Sequence, residues 1–118
     1  MQSPIIKWVG GDKPYLLAED HTFRTRQGTW TVPANYRFDG ASVPRIPFVY
    51  ARYGNTAHEA ACLHDYLYQC QPCTREQADK AFLEVMEQFD NPPSCTQRKA
   101  MYRALRLFGW IAWNKHKK

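Results

Sequence analysis

The chain has 118 residues, of which 44% are hydrophobic and 14% aromatic, so its composition excludes a disordered protein and suits one small domain. Sixteen Lys and Arg against eleven Asp and Glu give a formal net charge of +5, which favours partners that carry phosphate groups. The first eleven residues lack the apolar core of a signal peptide, and no run approaches the ~20 apolar residues of a membrane span. We therefore expect neither an export signal nor a transmembrane segment.

The N-terminal part, residues 1–50, is predicted to form short strands separated by turns. The β-prone segments are residues 5–9, 15–17, 29–32 and 36–38, with Gly, Pro, Asn and Asp between them. The pair Gln27-Gly28 stands between Phe23-Arg24-Thr25 and Trp30-Thr31-Val32, and this pattern favours a hairpin turn. These signals predict a small antiparallel β meander.

The segment from Phe38 to Arg45, FDGASVPR, follows neither a strand nor a helix period. An ordered loop of this composition offers backbone groups, the Asp39 carboxylate, the Ser42 hydroxyl and the Arg45 guanidinium to a site. The alternative is a plain turn closed by an Asx hydrogen bond.

The C-terminal part, residues 55–114, is predicted to form three helices. The first covers about residues 56–68 and the third starts near residue 95, after Asn-Pro-Pro. The second starts at Thr74, where Gln77 completes a capping box, and its apolar residues then recur at i, i+3, i+4 and i+7. The two parts together predict a single α+β domain over residues 1–118.

The connection between the first two helices, residues 69–73, is short, so these helices should form an antiparallel hairpin. On a helical wheel His64 lies on a face of small residues, which allows the neighbouring helix to approach closely. Equal steps outward from the middle of the connection pair His64 with Asp79. A carboxylate there can hold one ring nitrogen as a donor while the other accepts a proton. The alternative is a His–Asp pair that only ties two helices together.

Asp65 projects from the first helix at a different angle from His64. It is therefore a candidate ligand for a hard cation such as Ca²⁺, to which loops at residues 39–42 and 53–55 could add oxygen atoms. A zinc site is disfavoured, because His58 and His64 are six residues apart and face different sides of one helix. The CxxC pair Cys70 and Cys73 is expected to hold reduced thiols, with a loop disulfide such as Cys73–Cys95 left open.

Several motifs along the chain resemble one family of short phage and prophage proteins, called domain of unknown function 1353. The resemblance rests on FDGASVPR, on His64-Asp65-Tyr66-Leu67-Tyr68, on Arg75, Ala78-Asp79 and Phe82, and on Phe108-Gly109 and Trp113. It covers most of the chain and implies a protein of the virion or of the host cytoplasm, without implying an activity.

The helix pair by itself resembles the core of phospholipase A2, including its parvoviral capsid form. That family carries His-Asp-x-x-Tyr on one helix and an Asp on the facing helix, which here are His64, Asp65, Tyr68 and Asp79. The resemblance implies that His64 is the general base, that Asp79 orients it and receives a hydrogen bond from Tyr68, and that Asp65 binds Ca²⁺. An ester carbonyl bound to the cation would be polarised.

Further candidate site residues surround this core. Gly54 lies in Tyr53-Gly54-Asn55, a fragment of the calcium loop of that family, and Asp39 is a second candidate ligand. Ser42, Arg45 and Arg75 are candidates without an assigned role.

The sequence thus predicts a phage-associated hydrolase of a lipid ester, with calcium as the candidate cofactor. The alternatives are a non-catalytic virion protein of the tail or baseplate, or an assembly protein, that keeps the fold as a structural module, and a metal-dependent hydrolase of another bond. Bases and aromatics mix on the third helix, which suits an anionic membrane surface, although a core helix with a solvated basic end is the alternative. Nucleic acid is disfavoured as a partner, because no recognised reader motif accompanies the charge.

Overall fold

The structure is a computed structural model that describes residues 4–40, 47–88 and 94–116, without the side chains of residues 47–57. The chain folds into five short strands followed by three helices, which confirms the predicted α+β class. The elements are β1 Ile6–Trp8, β2 Tyr15–Leu17, β3 His21–Thr25, β4 Gly28–Val32, β5 Arg37–Phe38, α1 Pro47–Cys70, α2 Arg75–Glu87 and α3 Cys95–Lys115.

The strands form two small antiparallel sheets instead of one continuous meander. The order β1-β2-β5 makes a three-stranded sheet, and β3 and β4 make a separate hairpin between β2 and β5 in the chain. The predicted turn at Gln27 is present, and the Thr25 hydroxyl accepts hydrogen bonds from the amides of Gln27 and Gly28. The meander is split because the hairpin packs against α2: the Arg26 amide and guanidinium both donate to the Glu84 carboxylate.

Helix α1 begins earlier than the sequence pattern indicated, at Pro47 instead of about residue 56. Pro suits the first helical position, where its missing N–H costs no intrahelical hydrogen bond. One interior glycine costs only about 1 kcal/mol relative to Ala, so Gly54 does not stop a helix that has already started. Residues 53–55 therefore lie within α1, and the prediction of a calcium-loop fragment there is wrong.

The other two helices start close to their predicted positions, each at a capping box. Thr74 caps α2 with Gln77, and Ser94 caps α3 with Gln97. In both boxes the cap hydroxyl accepts from an N3 amide while the Gln side chain accepts from the cap amide, which satisfies two otherwise unpaired donors. These local signals fix the helix starts without help from tertiary contacts.

The core lies where α1 and α2 pack as the predicted antiparallel hairpin, with strands on one side and α3 on the other. Its largest fully buried side chains are Tyr68, Phe23, Phe38, Phe82, Leu17, Leu63, Leu67, Met86, Met101 and Leu105. Within this core α1 places His64 and α2 places Asp79, both with no exposed surface. The fold therefore buries an imidazole and a carboxylate among apolar side chains, where each needs a partner.

Candidate functional site

His64 and Asp79 meet between α1 and α2, and this confirms the predicted contact. The His64 Nε2 donates to Asp79 Oδ1 at 2.8 Å. The imidazole also packs between two aromatic rings, with centroid distances of 4.1 Å to Tyr68 and 5.3 Å to Phe82. Hydrogen bonding and packing together hold the ring in one orientation.

The Asp79 carboxylate is the centre of a polar cluster that joins all three helices. Its Oδ1 also accepts from the Tyr68 hydroxyl at 2.6 Å, as the resemblance implied. Its Oδ2 accepts from Arg106 Nη1 at 3.0 Å, and Arg75 Nη1 lies 3.5 Å from the same oxygen. We call these five residues, His64, Tyr68, Arg75, Asp79 and Arg106, the Asp79 cluster. The buried carboxylate therefore accepts three hydrogen bonds and forms an additional ion pair with Arg75.

These contacts determine the protonation of the cluster. Burial by itself would raise the pKa of Asp79, but the hydrogen bonds from His64, Tyr68 and Arg106 and the charge of His64 outweigh burial and lower it. Burial and the hydrogen bond to Asp79 raise the pKa of Tyr68, which therefore stays a hydroxyl donor. Because an ionised carboxylate can only accept hydrogen bonds, the proton of the His64–Asp79 hydrogen bond lies on Nε2 of the ring.

Arg75 and Arg106 hold the cluster to α3. Arg75 Nη1 donates to the Leu105 carbonyl at 2.9 Å, while Arg106 reaches Asp79 from α3 itself. Arg75 is a predicted site residue without an assigned role, whereas Arg106 was not singled out from the bases of the third helix. The sequence does contain a signal for the Arg106–Asp79 contact. A buried acid between two helices needs cationic or hydrogen-bonding partners, and Arg106 directly follows the core residue Leu105 on α3.

Gly109 of α3 leaves the space in which Tyr68 and Arg75 reach Asp79. A Cβ at this position would clash with the Tyr68 hydroxyl and lie 3.1 Å from Arg75 Nη1. We expect Gly109→Ala to lower the free energy of unfolding by about 1–3 kcal/mol, because overpacking displaces the two donors. Urea unfolding would measure the loss, and Ala100→Gly on the half-buried part of α3 would be the comparison for helix propensity. Unchanged or increased stability of Gly109→Ala would contradict the expected crowding.

A cleft of about 390 Å³ opens beside the cluster and contains the predicted calcium ligands Asp39 and Asp65. Tyr68 lies in its wall, while His64 is buried behind and does not line this cleft. The Gly40 amide donates to Asp65 Oδ2 at 2.8 Å, in a backbone turn where Gly40 has a φ of 76°. The predicted loop carboxylate and helix carboxylate therefore share one cleft.

The carboxylate oxygen atoms in this cleft are of the type that binds a hard cation. Ca²⁺ takes six to eight oxygen ligands, and Asp39 and Asp65 supply two carboxylates on the walls of one cleft. In the described ranges no group of three or more His, Cys, Asp or Glu gathers as a metal cage. The remaining ligands for a cation at Asp65 would have to be backbone oxygens, water or a substrate.

Of the other predicted site residues, Gly54 lies within α1, and Ser42 and Arg45 lie outside the described residues. All four cysteines are unpaired thiols, so the open Cys73–Cys95 disulfide is not formed in this structure. Burial raises the pKa of the Cys73 thiol to about 11, which makes it a poor metal ligand or nucleophile at neutral pH.

A family model described as a protein of unknown function (DUF1353) matches residues 15–105 of the chain. The chain belongs to the DUF1353 family. The match begins at β2, contains His64, Asp65, Tyr68 and Asp79, and ends one residue before Arg106. The part of the DUF1353 domain that the family model covers thus includes the predicted site but not the α3 end of the Asp79 cluster.

No curated protein and no solved structure matches the chain. In addition, no helix within the described ranges has the length and apolar character needed to cross a membrane. The comparisons therefore assign no activity to this DUF1353 chain.

Proposed function

We propose that this protein hydrolyses an ester bond of a lipid, with His64 as general base and Asp79 as its positioning residue. One observation carries the proposal: the His64 Nε2 to Asp79 Oδ1 hydrogen bond of 2.8 Å fixes the ring and its tautomer. A fixed tautomer is what a base needs in order to present one nitrogen to water. The helix-pair resemblance to phospholipase A2 supports the same roles for these residues.

The chain's own groups supply the following steps. The proposal requires lipid binding to make the buried ring of His64 accessible to water. Nδ1 would then accept a proton from the water that attacks the ester carbonyl, and the carboxylate of Asp79 would stabilise the resulting imidazolium. Tyr68 and Arg106 keep that carboxylate in place through their hydrogen bonds of 2.6 and 3.0 Å. The proton then passes from His64 to the leaving alkoxide, which restores the neutral ring.

We propose calcium as the cofactor, held by Asp65 and Asp39 in the neighbouring cleft. When bound there, the cation supplies Lewis-acid polarisation of the ester carbonyl. Calorimetric titration with Ca²⁺ provides a readout that does not depend on activity, and Asp65→Asn should weaken the binding. Equal affinity of the two proteins for Ca²⁺ would remove Asp65 from the proposed site.

The test of the proposed activity is fatty-acid release from phosphatidylglycerol vesicles, with Ca²⁺ or with a chelator. We expect His64→Gln to lower the rate roughly 10²- to 10⁴-fold, because a positioned general base contributes that much. The matched control is His21→Gln in β3, remote in the chain from the cluster and expected to keep full activity. Circular dichroism and the thermal midpoint would establish that both variants are folded. No release by the native protein, or full activity of a folded His64→Gln, would refute the proposal.

A second function is favoured by the burial of the same pair. His64 has no exposed surface, and the Asp79 carboxylate already pairs with two guanidinium groups. This supports a non-catalytic module of a virion tail or baseplate, or an assembly protein, in which the Asp79 cluster only ties three helices together. The phage connection rests on the sequence resemblance. Co-purification with tail proteins, together with absence of ester hydrolysis, would favour this alternative.

A further inference from the structure

The second half of α3 exposes large apolar side chains on the side that faces away from the core. The exposed fractions are 65% for Leu107, 59% for Phe108, 52% for Trp110 and 48% for Ile111. Single exposed apolar residues are ordinary on a protein surface, but four within five consecutive positions form a contiguous patch. Such a patch marks contact with another surface.

The opposite side of the same helix is also apolar. Met101, Leu105 and Gly109 are buried there against the rest of the domain. A surface helix normally keeps its apolar residues on the core side and polar residues on the opposite side, whereas this helix also has large apolar side chains in water. The outer side is therefore not explained by packing within the described chain.

Basic residues lie among the exposed apolar ones. Arg103 lies one turn before Leu107 and Lys115 one turn after Ile111, and all four belong to the same side of the helix. We call the surface formed by Arg103, Leu107, Phe108, Trp110, Ile111 and Lys115 the outer face of α3. From Arg98 to the last residue the sequence contains no Asp or Glu. Within the described residues neither Arg103 nor Lys115 forms an ion pair.

The combination of positive charge and exposed apolar side chains indicates which kind of partner binds the outer face of α3. A second copy of the chain would bring its own Arg103 and Lys115 against the same positive charges, which is unfavourable. A helix that carries Trp, Phe and Leu together with Lys and Arg is typical of helices that lie in the interface of an anionic bilayer. Each base near such a surface adds attraction to the anionic lipids, while the apolar side chains enter the acyl boundary.

We propose that the outer face of α3 docks on an anionic lipid bilayer. Phe108, Ile111 and Lys115 also line the cleft that contains Asp65, so this face borders the mouth of the candidate site. Docking would bring the cleft to the membrane surface, where a lipid could enter along apolar side chains. This use of the surface deepens the proposed hydrolase and rests on it, but binding to the bilayer is measured independently of hydrolysis.

The experiment is co-sedimentation of the native protein with vesicles of phosphatidylglycerol and phosphatidylcholine in equal parts, and with phosphatidylcholine alone. We expect preferential binding to the anionic vesicles, which added salt weakens. The double variant Leu107→Ser with Trp110→Ser should bind the anionic vesicles at least roughly tenfold more weakly. Lys99 is exposed one turn before Arg103 on α3, and Lys99→Gln with Arg103→Gln should show a similar loss. Neither pair includes a residue of the Asp79 cluster or of the cleft.

The matched controls replace one exposed apolar residue and one exposed basic residue outside α3. Ile5→Ser beside β1 and Arg24→Gln in β3 should leave vesicle binding unchanged. Native protein that ignores anionic vesicles, or α3 variants that bind them as well as native protein, would overturn the proposal. A native dimer that Leu107→Ser with Trp110→Ser dissociates would also overturn it, because a second copy would then occupy the face.

The two proposals fail in different ways. Folded His64→Gln should bind anionic vesicles as native protein does while losing hydrolysis. Native protein that binds vesicles and releases no fatty acid would refute the hydrolase and leave the docking surface intact. Hydrolysis of a dispersed ester without any vesicle binding would refute the docking surface alone.

Discussion

Replacing Asp79 by Ala should lower the free energy of unfolding by about 3–5 kcal/mol, which is the cost of removing one partner from a buried ion pair. Asp79 has no exposed surface, and its carboxylate accepts hydrogen bonds from His64, Tyr68 and Arg106 and pairs with the Arg75 guanidinium. Without it, two guanidinium groups approach each other with no anion between them, and the buried imidazole loses its acceptor. Urea unfolding followed by circular dichroism would measure the loss.

The matched control for Asp79→Ala is Glu76→Ala on the same helix. Glu76 is exposed and, among the described residues, pairs with Lys80 at 2.9 Å, so its removal should change stability far less than the removal of Asp79. A loss for Asp79→Ala as small as that for Glu76→Ala would show that the Asp79 cluster contributes little to the fold.

The same carboxylate gives stability a specific dependence on pH. The folded pKa of Asp79 lies below its ordinary value of 3.8, so the folded state binds the proton more weakly than the unfolded state does. Its stabilising contribution is therefore complete above the unfolded pKa and is lost as the pH falls through the folded pKa. Between neutral pH and pH 5 this group should cause no loss, and the acid-induced loss should be smaller in Asp79→Ala.

Replacing Phe82 by Ala should cost about 3–5 kcal/mol, because it removes a fully buried ring and leaves a cavity. The ring packs edge-on against the imidazole of His64 at a centroid distance of 5.3 Å, so the cavity would open directly beside the proposed base. The variant should therefore lose both stability and the fixed orientation of His64. Urea unfolding would give the loss of stability, and the His64 ring resonances in NMR would report its mobility.

Leu83→Ala, at the neighbouring half-buried position of α2, is the comparison for Phe82→Ala and should cost clearly less. Phe82→Leu fills most of the lost volume and should recover part of the stability. If Phe82→Ala is no less stable than Leu83→Ala, the packing of the ring against His64 is not important for the fold.

The part of the site that could be predicted depends on local signals. The capping box at Thr74 and the short connection at residues 71–74 fix the register of the α1–α2 hairpin, and this register alone pairs His64 with Asp79. Helical spacing then places Tyr68 one turn after His64, on the same carboxylate. No long-range information was needed for these three residues.

The rest depends on contacts between segments distant in the chain. The two-sheet arrangement follows from Glu84, whose buried carboxylate binds the turn at Arg26, 58 residues away in sequence. The approach of Arg106 to Asp79 follows from the packing of α3, which no local pattern specifies. The early start of α1 at Pro47 has a local explanation instead, because one interior glycine such as Gly54 costs only about 1 kcal/mol and does not end a helix.

The composition of the Asp79 cluster has a consequence for folding during synthesis. His64, Tyr68, Arg75 and Asp79 emerge from the ribosome within sixteen residues of one another, but Arg106 follows 27 residues after Asp79. A nascent chain that ends before α3 would form the helical hairpin locally, while Asp79 would lack one of its two cations and the cover that α3 provides. We therefore expect the hairpin to close early and its acid to stay hydrated until the last helix docks and completes the neutralisation.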